Sequence, residues 1–297
     1  MAEAQGEFAL LPQNAAEAGL AWDGPPTLAR IEIPLADGRR LRAIRWGDGL
    51  PEIVLLHGGS QNAHTWDTTA LALRRPLLAV DLPGHGLSDW RPAHDYSVEN
   101  MADDVAVAIE AVAPRAAMVV GMSLGGLTAL ALADRHPHAV RHLVLVDVTP
   151  GVNADKAKAI IDFVNGPASF ANFDEILNRT LKFNPTRSPS SLRRGIVHNA
   201  KQLPDGSWTW RWDPHRGPSR EATLDSSRLW AAAAAVEVPL LLLRGSLSPV
   251  VSDEDVEELQ RRNRAARVIV VEGAGHSIQG DEPLELARLL AEDLAAG

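Results

Sequence analysis

Eight apolar runs of strand length recur along this chain, and helix-like segments separate most of them. The runs are Leu28–Ile33, Leu41–Trp46, Ile53–Leu56, Leu77–Val80, Ala116–Val120, His142–Val146, Pro239–Leu243 and Arg267–Val271. The first two alternate apolar and polar residues around Asp37-Gly38, as a half-buried antiparallel hairpin does. The later ones are continuously apolar, as strands covered on both faces are. Helical segments are expected at Val98–Val112, Leu124–His136, Asp253–Arg262 and Pro283–Leu294. Such alternation predicts an α/β chain with a mostly parallel eight-stranded sheet and helices on both faces.

The alternation stops between Thr149 and Ala222. Short helices are expected there at Asp155–Val164, Phe170–Phe183 and Ser188–Ala200, followed by the Trp208-Thr209-Trp210-Arg211-Trp212 stretch. Its tryptophans alternate and so share one face of an extended segment. A long insertion between core strands reads as a lid. The expected division is a core of residues 1–148 and 223–297 and a cap of residues 149–222.

Composition narrows the function classes. With 29 basic and 38 acidic residues in 297, the net charge is −9. That argues against nucleic acid, whose phosphates require a basic face. There is no cysteine, so disulfides, a thiol nucleophile and thiolate metal sites are excluded. Residues 1–20 lack the basic and apolar regions of a signal peptide, and no stretch is long and apolar enough for a membrane span. A cytoplasmic protein, monomeric or homodimeric, is expected.

Chemistry enters at Gly121-Met122-Ser123-Leu124-Gly125, which falls between an apolar run and a helix. G-x-S-x-G at a strand-to-helix turn forces the serine into strained backbone and pushes its hydroxyl out above a sheet. Ser123 is therefore the candidate nucleophile. It needs a base, and His276 stands in a glycine-rich loop after the last strand. The oxyanion of an acyl transfer needs two N–H donors. Leu124 follows the nucleophile at a helix start, and Gly59 lies in the His57-Gly58-Gly59 loop after Ile53–Leu56. The acid that orients the base is expected after Leu240–Leu243, where Ser248 stands instead. Asp147, at the end of the preceding core strand, keeps the order Ser…Asp…His and is the first choice, with a turn-capping role as its competing reading. Asp253 is the fallback, although it also suits the cap of the helix that follows. His57, His85 and the Asp81–Ser88 loop are read as scaffold. The tryptophan stripe and the phenylalanines of the insertion are read as packing, with pocket lining as the lesser alternative. No metal site or cofactor is expected: His136 and His138 lie at a helix end next to Pro137 with no nearby carboxylate pair, and no phosphate-binding glycine pattern is present.

His57-Gly58-Gly59, Asp81-Leu82-Pro83-Gly84-His85-Gly86, Gly121 to Gly126 and Gly273-Ala274-Gly275-His276 together resemble the α/β-hydrolase family. Gln61 to Asp67, Leu145 to Pro150, Ser191 to Gly195 and Trp208 to Arg211 are similar to a mycobacterial serine ester hydrolase branch. The resemblance implies an α/β-hydrolase fold with an inserted helical cap. It implies carboxylesterase activity on small, short-chain acyl esters, with Ser123 and His276 carried over directly. C–C bond hydrolysis, lactone opening and perhydrolysis use the same machinery and stay open, as does a non-catalytic small-molecule receptor.

Overall fold

The computed structural model describes residues 6–184, 187–214 and 225–296. Eight strands form one sheet: β1 (Leu28–Pro34), β2 (Arg40–Trp46), β3 (Ile53–Leu56), β4 (Leu77–Asp81), β5 (Met118–Met122), β6 (Leu143–Val146), β10 (Leu240–Gly245) and β11 (Arg267–Val271). Their spatial order is β1-β2-β4-β3-β5-β6-β10-β11. β2 pairs antiparallel with β1 and with β4, and the remaining pairs are parallel. The hairpin turns where expected, with Gly38 at φ +85° and the Leu35 N–H donating to Arg39 O at 2.8 Å.

Strand periodicity divides the apolar residues between two cores. On β3, Val54 and Leu56 face one cluster with Met101, Val105, Leu130 and Leu229. Ile53 and Leu55 face the other with Trp66, Leu73, Leu286 and Leu290. The helices follow this division. Those over the first face are α3 (Val98–Val112), α4 (Leu124–Arg135), α8 (Ser226–Ala235) and α9 (Asp253–Arg262). Those over the second are α1 (Leu11–Glu17), α2 (Asp67–Leu73) and α11 (Pro283–Ala296), with the short α10 (Ile278–Asp281) leading into α11. Continuous apolar strands are thus explained by two covered faces.

Between β6 and α8 the chain leaves the sheet. It forms α5 (Lys158–Val164), α6 (Phe173–Phe183) and α7 (Pro189–Asn199). It also forms a three-stranded antiparallel sheet of β7 (Ser169–Phe170), β9 (Trp208–Trp210) and β8 (Ala200–Gln202). That sheet corrects the bounds of two expected helices: Phe170 and Ala200 are strand residues, not helix ends. A third apolar cluster, including Phe170, Ile176, Leu192, Ile196, Trp210 and Trp212, belongs to this segment itself. Asn62 and Asn199 (2.6 Å) and Lys156 and Asp255 (2.5 Å) tie it to the sheet domain. The expected junction at 222–223 lies outside the described residues.

Candidate active site

Ser123 sits between β5 and α4 with φ +51° and ψ −117°. A non-glycine residue held there carries strain of roughly 1–3 kcal/mol, so the surroundings must fix it. Gly121 and Gly125 show how. A Cβ on Gly121 would stand 2.3 Å from Gly125 O, and one on Gly125 would stand 2.3 Å from Leu56 O. Both obstacles are backbone, so neither can yield, and the turn closes only with glycine at these positions.

Asp147 follows β6 directly and is fully buried. Its backbone is also left-handed, at φ +50°, and its N–H donates to Leu243 O at 2.7 Å. This turn directs the carboxylate under the loop after β10. Oδ1 accepts the Gly245 N–H at 2.9 Å, and Oδ2 lies 2.8 Å from His276 Nδ1. The Ser248 hydroxyl donates to the same Oδ2. Ser248, at the position expected for the acid, is instead a hydrogen-bond donor to Asp147. Asp253 is exposed on the first turn of α9 and pairs with Arg244. The expected cap is one residue off as well: Ser252 caps α9, with Asp255 completing a capping box.

Ser123, His276, Gly58 and Gly59 open onto one cavity of about 800 Å³. Gly58 brings the loop after β3 against the serine; a Cβ there would stand 2.4 Å from Met122 Sδ and 3.4 Å from Ser123 Cβ. The Gly58 N–H is already committed to Gln61 Oε1 at 3.1 Å. Among the described residues, the N–H groups of Gly59 and Leu124 donate to no protein group. Leu124 is the first residue of α4, so the helix dipole adds positive potential at its N–H.

His57 and His85 lie elsewhere. His57 Nε2 accepts the Leu82 N–H at 2.9 Å while Nδ1 faces Gly58 O at 2.7 Å. Burial pushes its pKa down, so it stays neutral and ties β4 to the loop. His85 Nδ1 lies 3.0 Å from Pro83 O. Asp81 Oδ1 accepts the Ala63 N–H at 2.7 Å, and its Oδ2 accepts the Leu87 N–H at 2.9 Å. Trp210 and Trp212 stack at 4.2 Å and belong to the insertion's core, and both also line the cavity. Trp208 packs edge-on against Phe173.

The fold also assembles a trio that no sequence spacing revealed. His64, Asp67 and His198 place one nitrogen or oxygen each within 4.8 Å of one another. His64 Nδ1 faces Asp67 Oδ2 at 2.9 Å, and Nε2 faces Glu7 Oε1 at 3.2 Å. Burial opposes charge on His64, but the two carboxylates outweigh it and raise the imidazole to about 9. The His198 ring stacks on His64 at 3.6 Å from α7, so the trio clasps the insertion to the sheet domain.

Comparison with known proteins agrees with this fold. A model of the alpha/beta hydrolase family matches residues 53–289. The chain belongs to that family. It is 42% identical to the esterase Rv0045c of Mycobacterium tuberculosis over 292 residues, 96% of this chain and 94% of that one. A crystal structure of that esterase, from work on its inhibition by transition metals, superposes with a TM-score of 0.86 over 98% of this chain and 99% of that chain. The E-2-(acetamidomethylene)succinate hydrolase structure is 25% identical, with a TM-score of 0.81 over 91% of this chain and all of the other. The 3-hydroxybutyrate-oligomer hydrolase of Cupriavidus necator is 28% identical over 280 residues, 88% of this chain and 96% of that one.

Proposed function

We propose that this alpha/beta hydrolase is a serine esterase acting on small carboxylic esters with short acyl chains, and that residues 149–222 form its cap. The observation that carries the reading is the 2.8 Å contact of His276 Nδ1 with a buried carboxylate, on the cavity that also holds the strained Ser123. Asp147 keeps the proton on Nδ1, so Nε2 is free to take the Ser123 proton. Ser123 Oγ attacks the ester carbonyl, and the N–H groups of Gly59 and Leu124 hold the oxyanion. His276 then protonates the leaving alcohol. In the second half it activates water, which releases the acid from Ser123.

Phe163, Phe183, Ile160 and Leu247 give the cavity apolar walls suited to an acyl chain. No helix among the described residues is long and apolar enough to cross a membrane. A cytoplasmic location belongs to the proposal and is supported by the absence of cysteine. Ser123→Ala tests the reading with p-nitrophenyl butyrate. A fall in kcat on the order of 10⁶ is expected, and an unchanged rate refutes it. Parallel assays of lactones and a vinylogous diketone separate the other chemistries open to the same residues.

A further inference from the structure

Arg187 is a charged feature of the cavity that the ester chemistry leaves unused. It lies between α6 and α7 and lines the same cavity as Ser123 and His276. Among the described residues its guanidinium makes a single hydrogen bond, from Nη2 to Ser191 Oγ at 2.6 Å. Nε is sealed from solvent and has no partner. Among the described residues no carboxylate pairs with it. Arg30, Arg39 and Arg194 are also largely buried, and each holds a carboxylate: Glu7 and Asp81, Asp104, and Glu17 respectively. A buried cation without a counter-ion is costly, because desolvation is not repaid by pairing. Burial accordingly pulls the Arg187 pKa down.

The surroundings hold the guanidinium in this place. A Cβ on Gly280 would stand 2.6 Å from Arg187 Cζ and 2.7 Å from Nη1, so the group packs flat on a residue without a side chain. Gly280 lies on α10, four residues past His276, which puts the charge on the wall beside the base. Neither nearby carboxylate forms an ion pair with Arg187 among the described residues. Glu17 is taken by Ser188, Ser190 and Arg194. Asp281 receives the Gly275 N–H on Oδ2 at 2.9 Å and makes no ion pair with Arg187; burial pushes its carboxyl up, while the guanidinium and this carboxylate still favour each other's charge from a distance.

We infer that Arg187 is a specificity residue, and that this cavity takes esters carrying a second, free carboxylate, which the guanidinium fork receives while Ser123 attacks the ester carbonyl. A planar fork matches a carboxylate in two parallel hydrogen bonds. Lys156 and Arg194 also line the cavity but are ion-paired with Asp255 and Glu17; an arginine without an ion pair beside apolar walls fits a monoanion at the end of a methylene chain, which is the form of a dicarboxylic acid monoester. The inference rests on the esterase reading, and its test separates the two.

The test compares p-nitrophenyl monoesters of succinate, glutarate and adipate with neutral p-nitrophenyl esters of equal chain length. The spontaneous rate is subtracted using Ser123→Ala. The wild type is expected to favour at least one monoester in kcat/KM. Arg187→Met is expected to lower that value roughly 10- to 100-fold, the range of one lost hydrogen-bonded charge contact, with the neutral esters within threefold. Arg187→Lys keeps the charge without the fork and falls between. Free glutarate or adipate is expected to inhibit neutral-ester hydrolysis competitively in the wild type and at least tenfold more weakly in Arg187→Met. Equal losses on charged and neutral esters in both variants, or a wild type that disfavours every monoester and ignores the diacids, overturns the assignment. If the wild type hydrolyses no ester at all, the esterase reading fails. The carboxylate site is then judged by diacid binding in calorimetry, where equal affinity in wild type and Arg187→Met, or none in either, rejects it.

Discussion

Asp147→Asn changes one oxygen to an amide nitrogen at nearly constant shape, and the structure dictates where the new group points. The carboxylate receives three donors: the Gly245 N–H at 2.9 Å, the Ser248 hydroxyl and His276 Nδ1 at 2.8 Å. An asparagine cannot place its NH₂ toward the buried Gly245 N–H without a donor-to-donor clash, so its oxygen stays there. The NH₂ then faces Ser248 and His276. Ser248 can rotate its hydroxyl to accept, but His276 must offer the Nδ1 lone pair. Its proton therefore moves to Nε2, the nitrogen required as the base for Ser123. The expected loss is roughly 10⁴ in kcat, equivalent to about 5.5 kcal/mol of barrier. Ser248→Ala removes only one hydrogen bond to the charged group, about 1.5–3 kcal/mol, so a loss of roughly 10- to 150-fold is expected. Asp253→Asn breaks one exposed ion pair and is expected to stay within about twofold. Steady-state hydrolysis of p-nitrophenyl butyrate measures all three, with circular dichroism to confirm folding. A folded Asp147→Asn within tenfold of the wild type refutes the reasoning, as does a large loss confined to Asp253→Asn.

Two further expectations concern stability. Gly121→Ala drives a Cβ to 2.3 Å from Gly125 O and is expected to cost more than about 3 kcal/mol, whereas Gly195→Ala, in α7 with open space around it, is expected to gain about 0.5–1 kcal/mol. Urea unfolding of both variants checks the contrast. His64 is raised from 6.5 to about 9, so its contribution is complete below pH 6.5 and is lost as pH rises through about 9. The size is on the order of 3 kcal/mol. Melting temperature against pH should fall over that window in the wild type and fall less in His64→Phe.

The sheet was legible because each of its strands carries its own pattern. β3 and β11 coincide with their apolar runs, and α3 and α9 with their expected spans. β5 begins two residues later than its run suggested, at Met118, and carries straight into the Ser123 turn. The insertion was less legible. Strands of two and three residues contain too little periodicity to register, so only the Trp208-Thr209-Trp210 alternation marked the small sheet. α1 and α2, of seven residues each, were missed for the same reason. At the site, chain order and strand position marked Ser123, His276 and Asp147 as candidates. The Ser248 hydroxyl on Asp147 could not be foreseen, because that bond spans 101 residues and exists only once β6 and β10 pair. Arg187 looked like any other arginine of the insertion. What distinguishes it is that no carboxylate pairs with it among the described residues, and that is a property of the fold.

The most direct measurement of the central claim is covalent trapping of the nucleophile. The protein is mixed with a p-nitrophenyl ester, quenched in acid within milliseconds, digested and mapped by mass spectrometry. The account predicts one acyl group on the peptide that contains Ser123, and none on that peptide in Ser123→Ala. An acyl group on another residue, or full turnover with no acylated peptide under any quench, would contradict it.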